Sequence, residues 1–253
     1  MLIGITFLYE RKDTGSIPVP ITMEFTAHNI RLDDGTYTNP QLCPMDEDGW
    51  CGSFKSTLKE LFPDNREQIK IADLGCLEGG FSVEIARLGF QVLGLEIRQK
   101  NHNACKYVKS KVNLPNLSFV KDDAWNLPNY GKFDCVLCCG LLYHLDAPKK
   151  FLEMIASVTD KLILNTHFAT EVTAYFNLSE FTQNEGLNGR WFREFDENAS
   201  LADREDFAWA AWENHKSFWI RKDELLELLY SLGFKTVIEK DVQAMRSTFV
   251  ATK

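Results

Sequence analysis

The sequence predicts an α/β fold in which a mostly parallel sheet carries helices on both faces. Three observations predict it. Ile69–Leu74 has the β-branched, apolar character of a buried strand. A glycine turn, a helical pattern and a second strand complete the stretch 69–98. Further apolar runs then alternate with helical patterns, which is typical of parallel sheets because each crossover places a helix on a sheet face.

Composition favours one large α/β domain with an insertion. The chain has 253 residues, 45% of them hydrophobic, and a net charge of −8 that disfavours a nucleic-acid partner. Several of its cysteines lie in apolar strand patterns, which predicts buried thiols, no metal site and a reducing, cytoplasmic location. No stretch is long enough to span a membrane, and the oligomeric state is not predicted.

The N-terminal region, 1–64, is expected to be a β-rich leader that packs on the core. Met1–Leu8 and Met23–Leu32 are expected strands, the second followed by a turn at 33–35 and a return strand. Ser53 is expected to cap a helix over 54–62.

The second expected domain, 65–253, alternates helices and strands up to an insertion at about 168–219. The expected helices are 81–88, 101–112, 147–158 and 221–232, and the strands after the first are 90–95, 117–120, 133–139, 161–167, 234–241 and 248–251.

The glycine turn restricts the kind of nucleotide that this unit could hold. Gly75 and Gly80 flank Leu77, which stands where a dinucleotide site needs its middle glycine, so NAD and FAD are disfavoured. No Gly-Lys-Ser/Thr follows, which excludes a P-loop. Glu96, about twenty residues after the turn, is placed to bind ribose hydroxyls. A βαβ unit without a ligand is the alternative.

Four motifs in this order resemble the class I S-adenosylmethionine (SAM) methyltransferases. They are the turn at 73–80, Glu96, Asp123-Ala124 after the third strand, and the Phe-Asp-x-Val strand leading into Gly-x-Leu-Tyr-His-Leu at 133–145. The resemblance implies a Rossmann-like, seven-stranded sheet with an antiparallel last strand, and SAM as cofactor. The Leu-Tyr-His signature is also similar to that of tRNA wobble-uridine enzymes that use a carboxylated SAM.

The resemblance implies a set of cofactor-binding residues. Asp123 is the expected contact of the adenine amino group, with Asp122 as the alternative, and Ala124 and Trp125 flank the base. The complete set is Asp73, Gly75, Cys76, Leu77, Gly79, Glu96, Ile97, Asp122, Asp123, Ala124, Trp125, Cys139, Gly140 and Tyr143.

The segment 168–219 predicts a cap over the substrate. It contains many aromatic residues, among them four of the six tryptophans and Tyr175, and ten acidic against four basic residues, a net charge of −6. The expected substrate-binding residues are Tyr37, Trp50, Trp191 and Trp212. Packing of these aromatic rings in the cap's own core is the alternative.

His144 and His167 end the fourth and fifth strand regions and are candidate catalytic bases, although each could instead be structural. The sequence therefore favours an enzyme, a methyltransferase that transfers a methyl group from SAM to the oxygen or nitrogen of a small molecule. Modification of a tRNA wobble uridine with SAM or carboxy-SAM, and SAM binding without catalysis, are the alternatives.

Overall fold

The computed structural model describes residues 23–171 and 176–253, so the strand expected at Met1–Leu8 and the cap residue Tyr175 lie outside the described residues. The helices are α1 Gly49–Leu61, α2 Gly80–Ala86, α3 Gln99–Lys111, α4 Pro148–Val158, α5 Leu201–Asp206 and α6 Lys222–Ser231. The strands are β1 Lys70–Leu74, β2 Gln91–Glu96, β3 Leu117–Lys121, β4 Cys135–Cys139, β5 Lys161–His167, β6 Thr182–Asn184, β7 Leu187–Arg193, β8 Lys216–Ile220, β9 Thr236–Lys240 and β10 Arg246–Thr252.

Seven of the described strands form one sheet in the order β3-β2-β1-β4-β5-β10-β9. The β1–β5 strands pair in parallel, and β10 is antiparallel to both β5 and β9. This confirms the predicted α/β, Rossmann-like fold and its antiparallel last strand. The strand order reverses between β1 and β4, and open sheets of this type bind ligands where that reversal leaves a crevice.

Helices cover both faces of the sheet. On one face, Phe54 of α1, Val83 of α2 and Val108 of α3 pack against alternate strand residues. On the other face, Ile155 of α4 and Leu229 of α6 do the same. Because successive strand residues point to opposite faces, both helix layers bury apolar side chains of the same strands.

The leader is not β-rich in its described part. The strand expected over Met23–Leu32 is wrong, because only isolated bridges form there, including Arg31 with Tyr37. The backbone N–H groups of Thr26, Ala27 and His28 donate instead to the buried carboxylate of Glu78, at 2.6–3.1 Å. A side chain of the glycine turn therefore satisfies donors that a strand ladder would otherwise have used.

The leader's helix begins earlier than expected. Ser53 is not its cap, because the helix starts at Gly49 and the Asp48 carboxylate accepts the N–H of Cys51 at 2.8 Å. A carboxylate in this position satisfies one of the free donors of the first turn. The earlier start places Asp48 and Trp50 at the carboxyl edge of the sheet.

The insertion after β5 has a sheet of its own. Strands β6, β7 and β8 are antiparallel, and α5 lies between β7 and β8. Trp219, almost fully buried, stacks on His167 with ring centroids 4.9 Å apart and donates its indole N–H to the carbonyl of Tyr143 at 2.9 Å. The cap is therefore packed directly onto the end of β5 and onto the turn after β4.

Within residues 23–171 and 176–253, no helix is both long enough and apolar enough to cross a membrane.

Candidate functional site

A cavity of about 450 Å³ lies at the carboxyl ends of β1, β2, β3 and β4. Its wall also includes the cap segment 208–214 and five leader residues, Ala27, His28, Met45, Asp48 and Trp50. The volume falls within the range of small-molecule and cofactor sites. The cavity therefore occupies the crevice at which this sheet topology binds ligands.

The glycine turn forms the floor of the cavity with an unusual backbone. Gly75, Leu77 and Gly79 all have positive φ, of 65°, 51° and 86°. Leu77 thus adopts a left-handed conformation that glycine takes without strain, which explains how the turn forms without its middle glycine. The N–H of Leu77 donates to the Glu96 carboxylate at 2.9 Å, and this bond ties the turn to the end of β2.

Glu96 is buried and lines the cavity. One carboxylate oxygen accepts the N–H of Leu77 and the other accepts the N–H of Arg98 at 2.8 Å, so each oxygen retains a lone pair. Burial raises the pKa of Glu96 to about 7. A pair of hydroxyl donors, as a ribose offers, would complete its hydrogen bonding and favour the ionised form.

The geometry separates the two candidate adenine contacts. Asp122 accepts from the backbone N–H of Asp123, from Asn126 and from the hydroxyl of Tyr130 at 2.7–2.8 Å, so both its oxygens are engaged. Asp123 accepts one bond, from the N–H of Trp125 at 3.0 Å, through its Oδ1. The Oδ2 of Asp123 therefore has the greater capacity to accept an amino group.

Most of the predicted cofactor residues line the cavity. Those that do are Gly75, Leu77, Glu96, Ile97, Asp122, Asp123, Ala124, Trp125, Cys139, Gly140 and Tyr143. The buried Glu96, the open oxygen of Asp123 and the side-chain-free Gly75 fit the adenosine part of SAM. The individual contacts remain predictions.

Three predicted cofactor residues lie outside the cavity wall. The Asp73 carboxylate is buried and accepts the hydroxyl of Ser82 at 2.6 Å, so it organises the start of α2. The Cys76 thiol is buried against the thiol of Cys105, 3.9 Å away. Gly79 is required for packing, because an added Cβ would lie 2.5 Å from the ring of Phe119.

Arg98, which no sequence pattern indicated, fastens the cap over the cavity. Its guanidinium donates to the carbonyls of Arg204, Ala210 and Ala211 at 2.6–3.0 Å. It also lies 5.4 Å from the ring centroid of Trp212, a predicted substrate residue that lines the cavity. Since the N–H of Arg98 binds Glu96, one residue joins the expected ribose contact to the cap.

His144 lines the cavity and is paired with a carboxylate from the cap. Its Nδ1 lies 2.9 Å from Oε1 of Glu194, whose side chain is only 1% exposed. Glu194 also accepts the hydroxyl of Ser217 at 2.6 Å and the N–H of Ala211 at 3.1 Å. With Nδ1 donating to Glu194, Nε2 of His144 is the ring nitrogen that can accept a proton.

The structure does not bring His167 to the cavity, which contradicts its expected position beside the methyl group. Its ring stacks on Trp219, and its Nδ1 lies 3.1 Å from the carbonyl of Met245. Burial lowers the pKa of His167 to about 4, which makes it a weak base at neutral pH. His167 belongs to the packed interface between β5 and the cap.

Two of the four predicted substrate residues are also placed elsewhere. Tyr37 forms an isolated backbone β-bridge with Arg31 in the leader. The Trp191 ring packs on the ring of Phe218, with their centroids 5.0 Å apart. Neither lines the cavity, whereas Trp50 and Trp212 do. The alternating pattern of β7 directs Trp191 toward the core between cap and sheet.

Arg246, at the start of β10, is a further lining residue that the sequence did not indicate. Its guanidinium lies 3.7 Å from the ring centroid of Trp50, and its Nε donates to Asn165 at 2.7 Å. A lone arginine in a short apolar strand gives no pattern, and only the fold shows that it reaches the cavity. The contact of Glu194 with His144 was likewise not predicted, because no pattern distinguishes Glu194 from the other acidic residues of the cap.

A sheet of this order, with a buried acid at the end of β2 and an acid–alanine pair after β3, is typical of SAM-dependent methyltransferases. The family model described as a methyltransferase domain matches residues 50–238. The chain belongs to this family and is a SAM-dependent methyltransferase.

Relatives and solved structures agree with this assignment. The chain is 26% identical to the putative methyltransferase YqeM of Bacillus subtilis (strain 168), over 74% of this chain and 85% of that protein. It is 36% identical to the tRNA U34 carboxymethyltransferase of Campylobacter fetus subsp. fetus (strain 82-40), but over only 36% of this chain and 33% of that protein.

Two solved structures share the fold. The N-terminal domain of EvdMO1, crystallised with SAH bound, superimposes with a TM-score of 0.62 at 24% identity, covering 81% of this chain and 80% of that one. The magnesium protoporphyrin IX methyltransferase ChlM from Synechocystis PCC 6803, with bound SAM, gives 0.52 at 19% identity, covering 85% and 86%.

Proposed function

We propose that this enzyme methylates a hydroxyl or amine of a small molecule held under the cap, with His144 as the base. The observation that carries the proposal is the His144–Glu194 pair at 2.9 Å in the wall of the cavity. A histidine whose Nδ1 is held by a buried carboxylate presents Nε2 to a substrate proton.

The cofactor supplies the reactive methyl group, and the chain's residues supply binding, alignment and exclusion of water. Glu96 and Asp123 would hold the ribose and the adenine of SAM. The backbone of the 208–214 segment, fixed by Arg98, covers the cavity. His144 would take the proton of the acceptor as its oxygen or nitrogen attacks.

Glu194 connects the proposed base, His144, to the cap. Glu194 binds His144, the backbone N–H of Ala211 and Ser217 on β8 at once. Asn214 donates to the carbonyl of His144 at 2.9 Å. Contacts from the cap therefore hold the base in position, which suits an acceptor small enough to be enclosed.

A second candidate is transfer to a tRNA wobble uridine. The likeness to the tRNA U34 carboxymethyltransferase of Campylobacter fetus subsp. fetus, although confined to about a third of each protein, favours it. The net charge of −6 over the cap opposes it, because this surface would repel RNA phosphates.

A methyl-transfer screen tests the proposal. Methyl-labelled SAM is incubated with the enzyme and either a panel of phenols, hydroxy acids and primary amines, or total bacterial tRNA. Label in a small molecule, reduced about 10²–10⁴-fold by His144→Gln, is expected. His167→Gln is the matched histidine control and should stay within a few-fold of the wild type. Label in tRNA alone would replace the proposal by its alternative.

A further inference from the structure

Among the described residues, the cavity wall holds a cation without an anionic partner. The Nε of Arg246 donates to the amide oxygen of Asn165 at 2.7 Å, and the guanidinium faces the rings of Trp50 and Tyr143, 3.7 and 5.6 Å from their centroids. Across residues 23–171 and 176–253, no carboxylate lies within 4.0 Å of this guanidinium. Arg246 is also partly buried, and the loss of solvent lowers the pKa of its guanidinium, so the charge carries a desolvation cost.

The other arginine of the cavity wall, Arg98, already donates hydrogen bonds to the cap. Arg98 donates through Nε and Nη2 to three backbone carbonyls of the cap. Arg246 donates to an amide oxygen through Nε alone, and in the described part of the chain its terminal nitrogens have no carboxylate or carbonyl partner. A partly buried cation in a ligand cavity, with no anionic partner among the described residues, indicates an anionic group on the ligand.

The geometry of the guanidinium selects the shape of this group. Trp50 covers one face of the guanidinium plane, and Asn165 takes Nε. The remaining edge presents the two terminal nitrogens, which match the two oxygens of a carboxylate in a bidentate pair. A single positive charge is balanced by a carboxylate, whereas a phosphate monoester would leave excess negative charge in the cavity.

The position of Arg246 in the cavity indicates that the anionic group belongs to the acceptor. The terminal nitrogen Nη2 lies beside Gly140, and the guanidinium faces Tyr143, which immediately precedes the base His144. Glu96 and Asp123, the expected adenosine contacts, lie at the carboxyl ends of β2 and β3, whereas Arg246 begins β10, beyond β5 in the sheet order. The cation therefore lies on the side of the cavity where the base is found.

We propose that Arg246 is a specificity-determining residue that binds a carboxylate of the acceptor, so that the enzyme methylates a planar, carboxylate-bearing small molecule. The inference rests on the proposed function, because it takes the acceptor to be a small molecule in this cavity. Trp50 and Tyr143 supply flat apolar walls beside the charge, which suits an aromatic or conjugated acid.

A matched pair of probes tests this on the whole 253-residue chain saturated with SAH. Benzoate and benzamide have the same shape and differ in charge, and their affinities are measured by ligand-observed NMR. Wild type should bind benzoate at least about tenfold more tightly than benzamide, as expected for a charge-assisted pair. Equal affinity for both probes, or binding of neither, would overturn the proposal without using any variant.

Two variants and one control assign the preference to Arg246. Arg246→Met should abolish the preference for benzoate. Arg246→Lys keeps the positive charge but lacks the two terminal nitrogens that form a bidentate pair, so it should retain part of the preference. Arg193→Met removes the same charge from the exposed side of the cap and should leave the preference intact. A preference that survives in Arg246→Met contradicts the inference.

Calorimetry with SAM separates the acceptor's carboxylate from the cofactor's own. Arg246→Met should bind SAM within about threefold of the wild type. A loss of tenfold or more would assign Arg246 to the methionine carboxylate of SAM and overturn the proposal, while leaving the proposed function standing. If wild type fails to bind SAM at all, the proposed function fails first, and the two failures are thereby distinguished.

Discussion

Replacing Glu96 by glutamine is expected to weaken SAM binding and to remove most of its dependence on pH. In the protein without ligand, burial raises the pKa of Glu96 to about 7. Ribose hydroxyls donate to the ionised carboxylate, so binding favours the deprotonated form and releases a proton. The SAM affinity of the wild type should therefore fall as the pH is lowered through this pKa.

The magnitude follows from the fraction of carboxylate. With a pKa of about 7, roughly nine-tenths of Glu96 is ionised at about pH 8 and roughly one-tenth at about pH 6, which predicts up to about a tenfold loss of affinity. In Glu96→Gln, two charge-assisted hydrogen bonds become neutral ones, a loss of about 2 kcal/mol or roughly thirtyfold at about pH 8.

Isothermal titration calorimetry measures both effects, and repeating it in buffers of different ionisation enthalpy counts the released proton. Near pH 7 the wild type should release about half a proton more than Glu96→Gln. Because both proteins bind the same ligand, this difference excludes any proton released by the ligand's own amino group. Glu67→Gln, on the exposed turn before β1, is the control for the loss of one carboxylate. Wild-type affinity and an unchanged pH profile in Glu96→Gln would refute the assignment of Glu96 to the ribose.

Two further predictions concern the cap. Arg98→Met removes the hydrogen bonds to the carbonyls of Arg204, Ala210 and Ala211, so amide hydrogen exchange across 204–214 should accelerate. The control Gln99→Ala, at an exposed neighbouring position, should exchange like the wild type. Wild-type protection in Arg98→Met would show that Arg98 does not fasten the cap. Because the cap has a net charge of −6, filter binding at physiological salt should detect no saturable tRNA affinity, and tight, salt-sensitive binding would contradict the small-molecule assignment.

The core could be predicted from sequence because its signals are local. The apolar runs of β1 to β5 and the helical patterns between them each bury one face in a predictable way, and the predicted seven-stranded sheet is confirmed. Glu96 was predicted from its spacing after the glycine turn, and Asp123 from the family resemblance. Both line the cavity because the carboxyl ends of parallel strands meet at one edge of the sheet.

The missed features depend on contacts that are distant in sequence. Met23–Leu32 alternates like a strand, but Glu78, some fifty residues away, takes the donors of 26–28. Glu194 lies 50 residues from His144, and Arg246 lies 81 residues from Asn165, so no local pattern marks either contact. His167 ended a strand as expected, yet the folding of the cap placed Trp219 over its ring.

A crystal structure of the enzyme with SAH tests the account of the site most directly. It should show both ribose hydroxyls within hydrogen-bond distance of Glu96, the adenine amino group at Oδ2 of Asp123, and the sulfur facing His144 under the 208–214 segment. SAH bound outside this cavity, or with its ribose away from Glu96, would contradict the account.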